Sequence, residues 1–130
     1  MSIALTGQLF WFVLVGCAAA ATHWAAVVVL VSQAHLAPLL ANIGGWAIAF
    51  GVSFLGHYHL TFKHQQAPLG RAARRFLAVS ALGFALNEAA YAWLLHATPW
   101  RYDLVLAVVL VGVAVLTFLL SRRWAFQRRR

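Results

Sequence analysis

FLAVSALGFALNEAAYAWLL, residues 76–95, follows Arg74-Arg75 and leads into Pro99-Trp100-Arg101-Tyr102-Asp103. It carries one charge, Glu88, and its length matches the roughly 20 residues a helix needs to cross a hydrocarbon core of about 30 Å. Three other runs read the same way: Leu9 to Val31, Leu36 to Leu60, and Leu104 to Leu120 with an extension to Trp124. The 130-residue chain is 64% hydrophobic and 9% charged, with the charges confined to a few short stretches, so water is not its main solvent. Lipid offers no partner for an unpaired backbone group, which excludes open strands. The expectation is an all-α membrane protein, a single four-helix transmembrane domain over residues 1–130.

The breaks between runs are turn-like. Ser32-Gln33-Ala34-His35 reads as a short polar hairpin, Lys63 to Arg75 as a basic connection containing Pro68 and Gly70, and Ala97 to Asp103 as a turn. Leu14-Val15-Gly16-Cys17 resembles a lipoprotein cleavage site, but no Lys or Arg precedes Phe10, so the positive region of a signal peptide is missing. Cys17 is the only cysteine and reads as a small buried packing residue.

Nine of the ten basic residues fall on one side of four alternating helices. Lys63, Arg71, Arg74 and Arg75 lie in the middle connection, Arg122, Arg123 and Arg128 to Arg130 in the tail, and only Arg101 lies opposite. Positive residues near span ends stay cytoplasmic, so both termini and the middle connection are expected there. The net charge of +8 is explained by topology and by attraction to anionic lipid head groups, at about 1 kcal/mol per residue, rather than by nucleic acid. Trp11, Tyr58, Phe62, Trp124 and Phe126 on one side, with Trp100 and Tyr102 on the other, read as interfacial anchors.

Sliding the chain by 64 residues aligns Phe12 to Gly16 with Phe76 to Ser80, Ser53-Phe54-Leu55 with Thr117-Phe118-Leu119, and Phe62 with Phe126. This reads as two tandem two-helix repeats. Each has an even number of spans, so the copies share one topology and are related by an axis along the membrane normal.

The order Pro38-Leu39-Leu40-Ala41-Asn42, then Ser53-Phe54-Leu55-Gly56-His57-Tyr58-His59-Leu60-Thr61-Phe62, then Arg75-Phe76, then Thr117 to Phe126 resembles the GtrA-like family over essentially the whole chain. The resemblance implies a bacterial inner-membrane protein of cell-surface polysaccharide or O-antigen glycosylation that moves a polyprenyl-phosphate-linked sugar to the outer leaflet. Two departures remove arginine from the first repeat: Gln8 to Phe12 stands where Arg-Phe is typical, and His57-Tyr58-His59-Leu60 where Arg and Trp are commoner. Phosphate binding then falls to Lys63 and the second repeat.

The polar residues inside the spans are candidate substrate contacts. A charge at mid-bilayer costs about 2.5 to 3.5 kcal/mol on insertion scales, so Glu88 needs a partner or a function. At 1.5 Å per residue, Glu88 lies about 18 Å along its helix from Phe76, and His23 about 21 Å along its own from Leu9. Asn42 enters at a comparable depth and Asn87 adjoins Glu88, so the four read as one polar layer. It is equally a clasp between helices, with Glu88 anchoring His23, or part of a substrate path. On the second helix Asn42, Gly45, Ala49, Ser53 and Gly56 share one face, with Trp46 and His57 beside it. The glycines read as close-packing positions, while Asn42, His57 and a sugar-stacking Trp46 read as a groove wall. At the basic rim Arg75 and Arg122 are the first choice for the phosphate, with Lys63, Arg74 and Arg123 beside them, because guanidinium binds phosphate oxygens in pairs.

No catalytic pattern is present. Two carboxylates, Glu88 and Asp103, make no acid/base pair, the phosphate-loop motif is absent, and the six histidines lack zinc spacing. The expected function is translocation without a cofactor, beside a membrane glycosyltransferase and in a homo-oligomer. The alternatives are a non-transporting anchor or regulatory subunit of that glycosyltransferase, and a small multidrug-type exporter.

Overall fold

The computed structural model describes residues 3–63 and 67–125, with side chains up to residue 116. Four long helices run in chain order: α1 (Ile3–Ser32), α2 (Pro38–Gly56), α3 (Leu69–Ala97) and α4 (Tyr102–Ala125). A π-helical turn, His57–Thr61, continues α2. Ile3–Ser32, Pro38–Thr61 and Leu69–Ala97 are each long and apolar enough to cross a membrane, and the described apolar part of α4, Tyr102–Leu116, is shorter. The chain is a multi-pass membrane protein with an all-α, four-helix fold.

The helices overrun the apolar runs. At 1.5 Å per residue the 30 residues of α1 extend about 45 Å, half as long again as a hydrocarbon core. Polar and basic residues in the head-group layer need not end a helix, and Arg71, Arg74 and Arg75 accordingly lie in the first two turns of α3 rather than in a connection. Pro38 opens α2 at a position where its missing N–H costs nothing, after Ala37 in the extended conformation that a following proline favours. Between α1 and α2 the chain reverses through His35, which has a left-handed φ of 54°, and the Leu36 N–H bonds the Leu30 carbonyl across it.

Each helix packs on its neighbours in sequence, and α4 closes on α1. The closest approach is between α1 and α2, where glycines remove the side-chain spacer. A Cβ on Gly45 would lie 2.6 Å from Val27 and 3.0 Å from the His23 carbonyl oxygen, and one on Gly56 would lie 2.7 Å from Val15. These two are packing positions, as small residues commonly are between helices in lipid.

The apolar core, Val27, Ala41, Tyr91, Val105, Leu106 and Val109, lies in the half of the bundle away from the basic connection. The Tyr91 hydroxyl donates to the Tyr102 carbonyl and the Trp24 indole to the Asp103 carbonyl, which ties α3 and α1 to the start of α4. Nearer the basic end, Val15, His57 and Thr61 are buried while Phe10, Phe12, Leu14, Leu77 and Val79 are exposed, and Cys17, expected to be buried, is exposed as well because the face of α1 that carries it packs on no other helix. The bundle is thus tightly packed at one end and looser at the other.

Candidate functional site

Two levels of the bundle carry polar chemistry. At the tight end, His23 donates from Nε2 to Asn42 Oδ1 at 2.6 Å, and Asn42 Nδ2 donates to Asn87 Oδ1 at 2.8 Å. All three side chains are buried, so each bond replaces one that water would otherwise make. This chain of bonds joins α1, α2 and α3. It corrects one expectation: His23 pairs with Asn42 and not with Glu88. The carboxyl oxygens of Glu88 are enclosed beside the Asn42 amide and have no partner in full hydrogen-bond geometry among the described residues.

At the basic end α2 ends in the π-helical turn, and His57 Nδ1 and Thr61 Oγ1 share a hydrogen bond of 3.0 Å across it. Short π segments recur at functional sites because they redirect the side chains that follow. The His57 ring is packed by Phe12 and Phe76, with centroids 5.1 and 5.9 Å away. Phe54, His57, Tyr58, Phe62, Arg75 and Phe76 line a half-open cavity of about 380 Å³. The Tyr58 hydroxyl donates to the Ala67 carbonyl and holds the chain before α3 against this cavity. Arg75 also lines a shallower groove with Arg71 and Arg74. No acidic residue lies in the first turn of α3, and the partial positive charge of the helix start adds to that of the arginines. Among the described residues the one ion pair is Arg101 with Asp103, at the opposite end of the bundle, which leaves the three arginines without a carboxylate.

Of the residues expected to contact substrate, His23, Asn42 and Asn87 come together with Glu88 beside them, and Arg75 and His57 line the same cavity. Arg74 lies in the adjoining groove, while Lys63 is exposed and outside both. The side chains of Arg122 and Arg123 fall outside the described residues. Trp46 is not a free stacking platform. Its ring stacks on Phe84 at 4.9 Å and its indole N–H donates to Ser80 Oγ, so it joins α2 to α3.

Phe54 and Phe76 have no part in the site expected from sequence, where Tyr58 and Phe62 figure only as interfacial anchors. A signal for Phe76 is nevertheless present, since it aligns with Phe12 at the 64-residue offset and both rings flank His57.

The chain is thus a multi-pass four-helix protein with a cationic, aromatic-lined cavity at one end and a buried amide layer towards the other. Residues 11–126 match the family model described as GtrA/DPMS, transmembrane domain, and the chain belongs to that family. Membership associates it with membrane glycosylation, and the transmembrane domain that defines the family is not itself catalytic. Neither a curated protein nor a solved structure matches it.

Proposed function

We propose that this chain translocates a polyprenyl-phosphate-linked sugar across the bacterial inner membrane, from the cytoplasmic to the outer leaflet. The observation that carries the reading is the cavity shared by Arg75 and His57 at the basic end. One guanidinium supplies two parallel donors to a phosphate, and the surrounding rings give the sugar and the first prenyl units an apolar wall. The positive-inside rule puts this end, and both termini, in the cytoplasm. Lys63, Arg74, Arg122 and Arg123 gather anionic head groups at the rim, the exposed apolar helix faces leave the prenyl tail in lipid, and the Asn42 layer lies on the path outward. A homo-oligomer encloses the head group, and a membrane glycosyltransferase uses it on the far side.

The test is crossing of a fluorescent polyprenyl-phosphate hexose in proteoliposomes. Wild-type chain raises the rate above protein-free vesicles, and Arg75→Ala lowers it by about 10- to 100-fold, the equivalent of a charge-assisted hydrogen bond of about 1.5 to 3 kcal/mol. No crossing by wild type would leave a second reading, a membrane anchor or regulatory subunit of a glycosyltransferase. That reading is favoured by the family description itself, which names a transmembrane domain.

A further inference from the structure

The polar layer contains one group that its hydrogen bonds do not use. Both carboxyl oxygens of Glu88 are enclosed and have no partner in full hydrogen-bond geometry among the described residues; the one donor that reaches towards them is the Asn42 amide. Its surroundings offer no counter-charge. On α2 the neighbouring polar group is the Asn42 amide, whose oxygen is taken by His23 and one of whose N–H bonds is taken by Asn87. On α1 His23 faces Asn42. On α3 itself Tyr91 lies one turn on, with its hydroxyl given to the Tyr102 carbonyl. At the start of α4, Asp103 is paired with Arg101. Among the described residues no cationic side chain lies within ion-pair distance of Glu88.

An ionised carboxylate with no cation and at most one marginal amide donor is a costly state for such a group in hydrocarbon. A metal ion would need several free oxygens, yet the Asn42 and Asn87 side-chain oxygens are both already acceptors. The described residues also contain no group of three potential metal ligands. A proton needs only the carboxyl group itself.

We propose that Glu88 is a proton-binding site that couples proton movement to passage of the lipid-linked sugar, carrying its proton while the polar layer is closed and releasing it when the layer opens to water. This rests on the translocation reading for its coupling, though not for the site. On opening, the carboxyl O–H bond breaks, its electron pair stays on the carboxylate, and the proton goes to water. The second N–H of Asn42 Nδ2, which bonds neither His23 nor Asn87, is the donor placed to meet the new carboxylate. Closing reverses both steps, and no electron is transferred.

The chain has two acidic residues, Glu88 and Asp103, so carboxyl-labelled ¹³C-glutamate reports on Glu88 alone. The full-length chain is placed in nanodiscs of neutral phospholipid and followed by infrared spectroscopy. The expected signal is a carboxylic acid at neutral pH that converts reversibly to carboxylate in alkaline buffer. In proteoliposomes an imposed pH difference then changes the crossing rate of the fluorescent polyprenyl-phosphate hexose about tenfold in wild type and leaves Glu88→Gln unaffected. A carboxylate at neutral pH, an acid form that never converts, or an equal pH response in both proteins overturns the proposal. The label is read on wild type, so the site is tested independently of how the variant folds. If the label converts but wild-type chain moves no lipid, the translocation reading and the coupling fall while the proton site stands. If wild type moves lipid with Glu88 ionised throughout, only the proton site falls.

Discussion

His23 and Asn87, 64 residues apart in the chain, hold the two ends of one side-chain amide, that of Asn42. The same offset relates Phe12 to Phe76, the two rings packed against His57. It also relates Val27 to Tyr91, Ala41 to Val105, Asn42 to Leu106 and Gly45 to Val109, all of them buried. The starts of α2 and α4, Pro38 and Tyr102, are separated by the same number of residues. Equivalent positions on α1 and α3 therefore grip α2 at two levels, once through an amide and once through an imidazole. The repeats have diverged where the second copy has no polar counterpart: Leu106 fills with apolar packing the position that Asn42 fills with hydrogen bonds.

Replacing Asn42 with Ala strands two buried partners at once, because the His23 donor and the Asn87 acceptor both lose their bond. Interhelical hydrogen bonds in lipid average about 0.6 kcal/mol with a maximum near 1.7, so the expected loss is about 1 to 3 kcal/mol. In a double-mutant cycle, His23→Ala couples to Asn42→Ala by about 1 kcal/mol and to Glu88→Ala by less. Reversible unfolding in bicelles measures both. A larger His23 to Glu88 coupling would restore the ion-paired clasp and remove the amide chain.

The glycines of α2 rank by what a methyl group would meet. Gly45→Ala meets Val27 and a backbone carbonyl that cannot move aside, so it costs about 2 to 3 kcal/mol by overpacking. Gly56→Ala presses on the Val15 side chain and costs less, and Gly44→Ala meets only the end of Leu30 and costs least. Gly83→Ala on α3 meets nothing within 4 Å and is neutral or stabilising by up to about 1 kcal/mol, since alanine is the better helix former. Thermal stability of the four variants in one detergent checks the order. Equal losses at Gly45 and Gly83 would mean that α1 and α2 do not approach as closely as they do here.

Four apolar runs are enough to read the helices, because chain length in hydrocarbon is fixed by bilayer thickness. Their ends are not legible, since hydropathy reports where lipid begins and not where hydrogen bonding stops, and Arg71, Arg74 and Arg75 therefore read as a loop when they belong to α3. Counting 1.5 Å per residue puts His23, Asn42, Asn87 and Glu88 at one depth. Depth says nothing of which side chains face each other around the bundle, so it does not choose the partner of His23. A uniform turn of 100° per residue carried through Leu60 also hides the π-helical turn, and with it the bond from His57 to Thr61. The helical period puts Trp46 on the correct face of α2, but only the structure shows Phe84 already stacked on it.

Orientation gives a prediction independent of any substrate. The nine-to-one division of basic residues predicts a cytoplasmic connection between α2 and α3 and a cytoplasmic C-terminus. Alkaline phosphatase fused after residue 66 or at residue 130 should be inactive, and fused after His35 or Pro99 should be active. Activity at either of the first two positions would reverse the cavity's side and with it the direction of transport. Charge reversal of Arg71, Arg74 and Arg75 together should produce a mixed topology.

The last prediction separates the guanidinium of Arg75 from its charge. Arg75 is the residue shared by the aromatic cavity and the arginine groove, so among the described residues it is the one cation placed to face a phosphate among rings. If it binds as a two-pronged donor, Arg75→Lys keeps the charge and the topology but loses the paired geometry, and retention of polyprenyl phosphate should fall by about tenfold. Arg71→Lys, in the open groove, should change retention by less than about twofold, as an exposed charge acting through lipid attraction would. His57→Phe keeps the ring packing against Phe12 and Phe76 and removes the bond to Thr61, so it should loosen the π-helical turn and lower retention without releasing the protein from the membrane. Native mass spectrometry of the gently extracted chain reads bound lipid directly for all three. Equal retention by Arg75→Lys and wild type would assign Arg75 to the general basic rim, and the cavity would then have no phosphate-specific contact among the described residues.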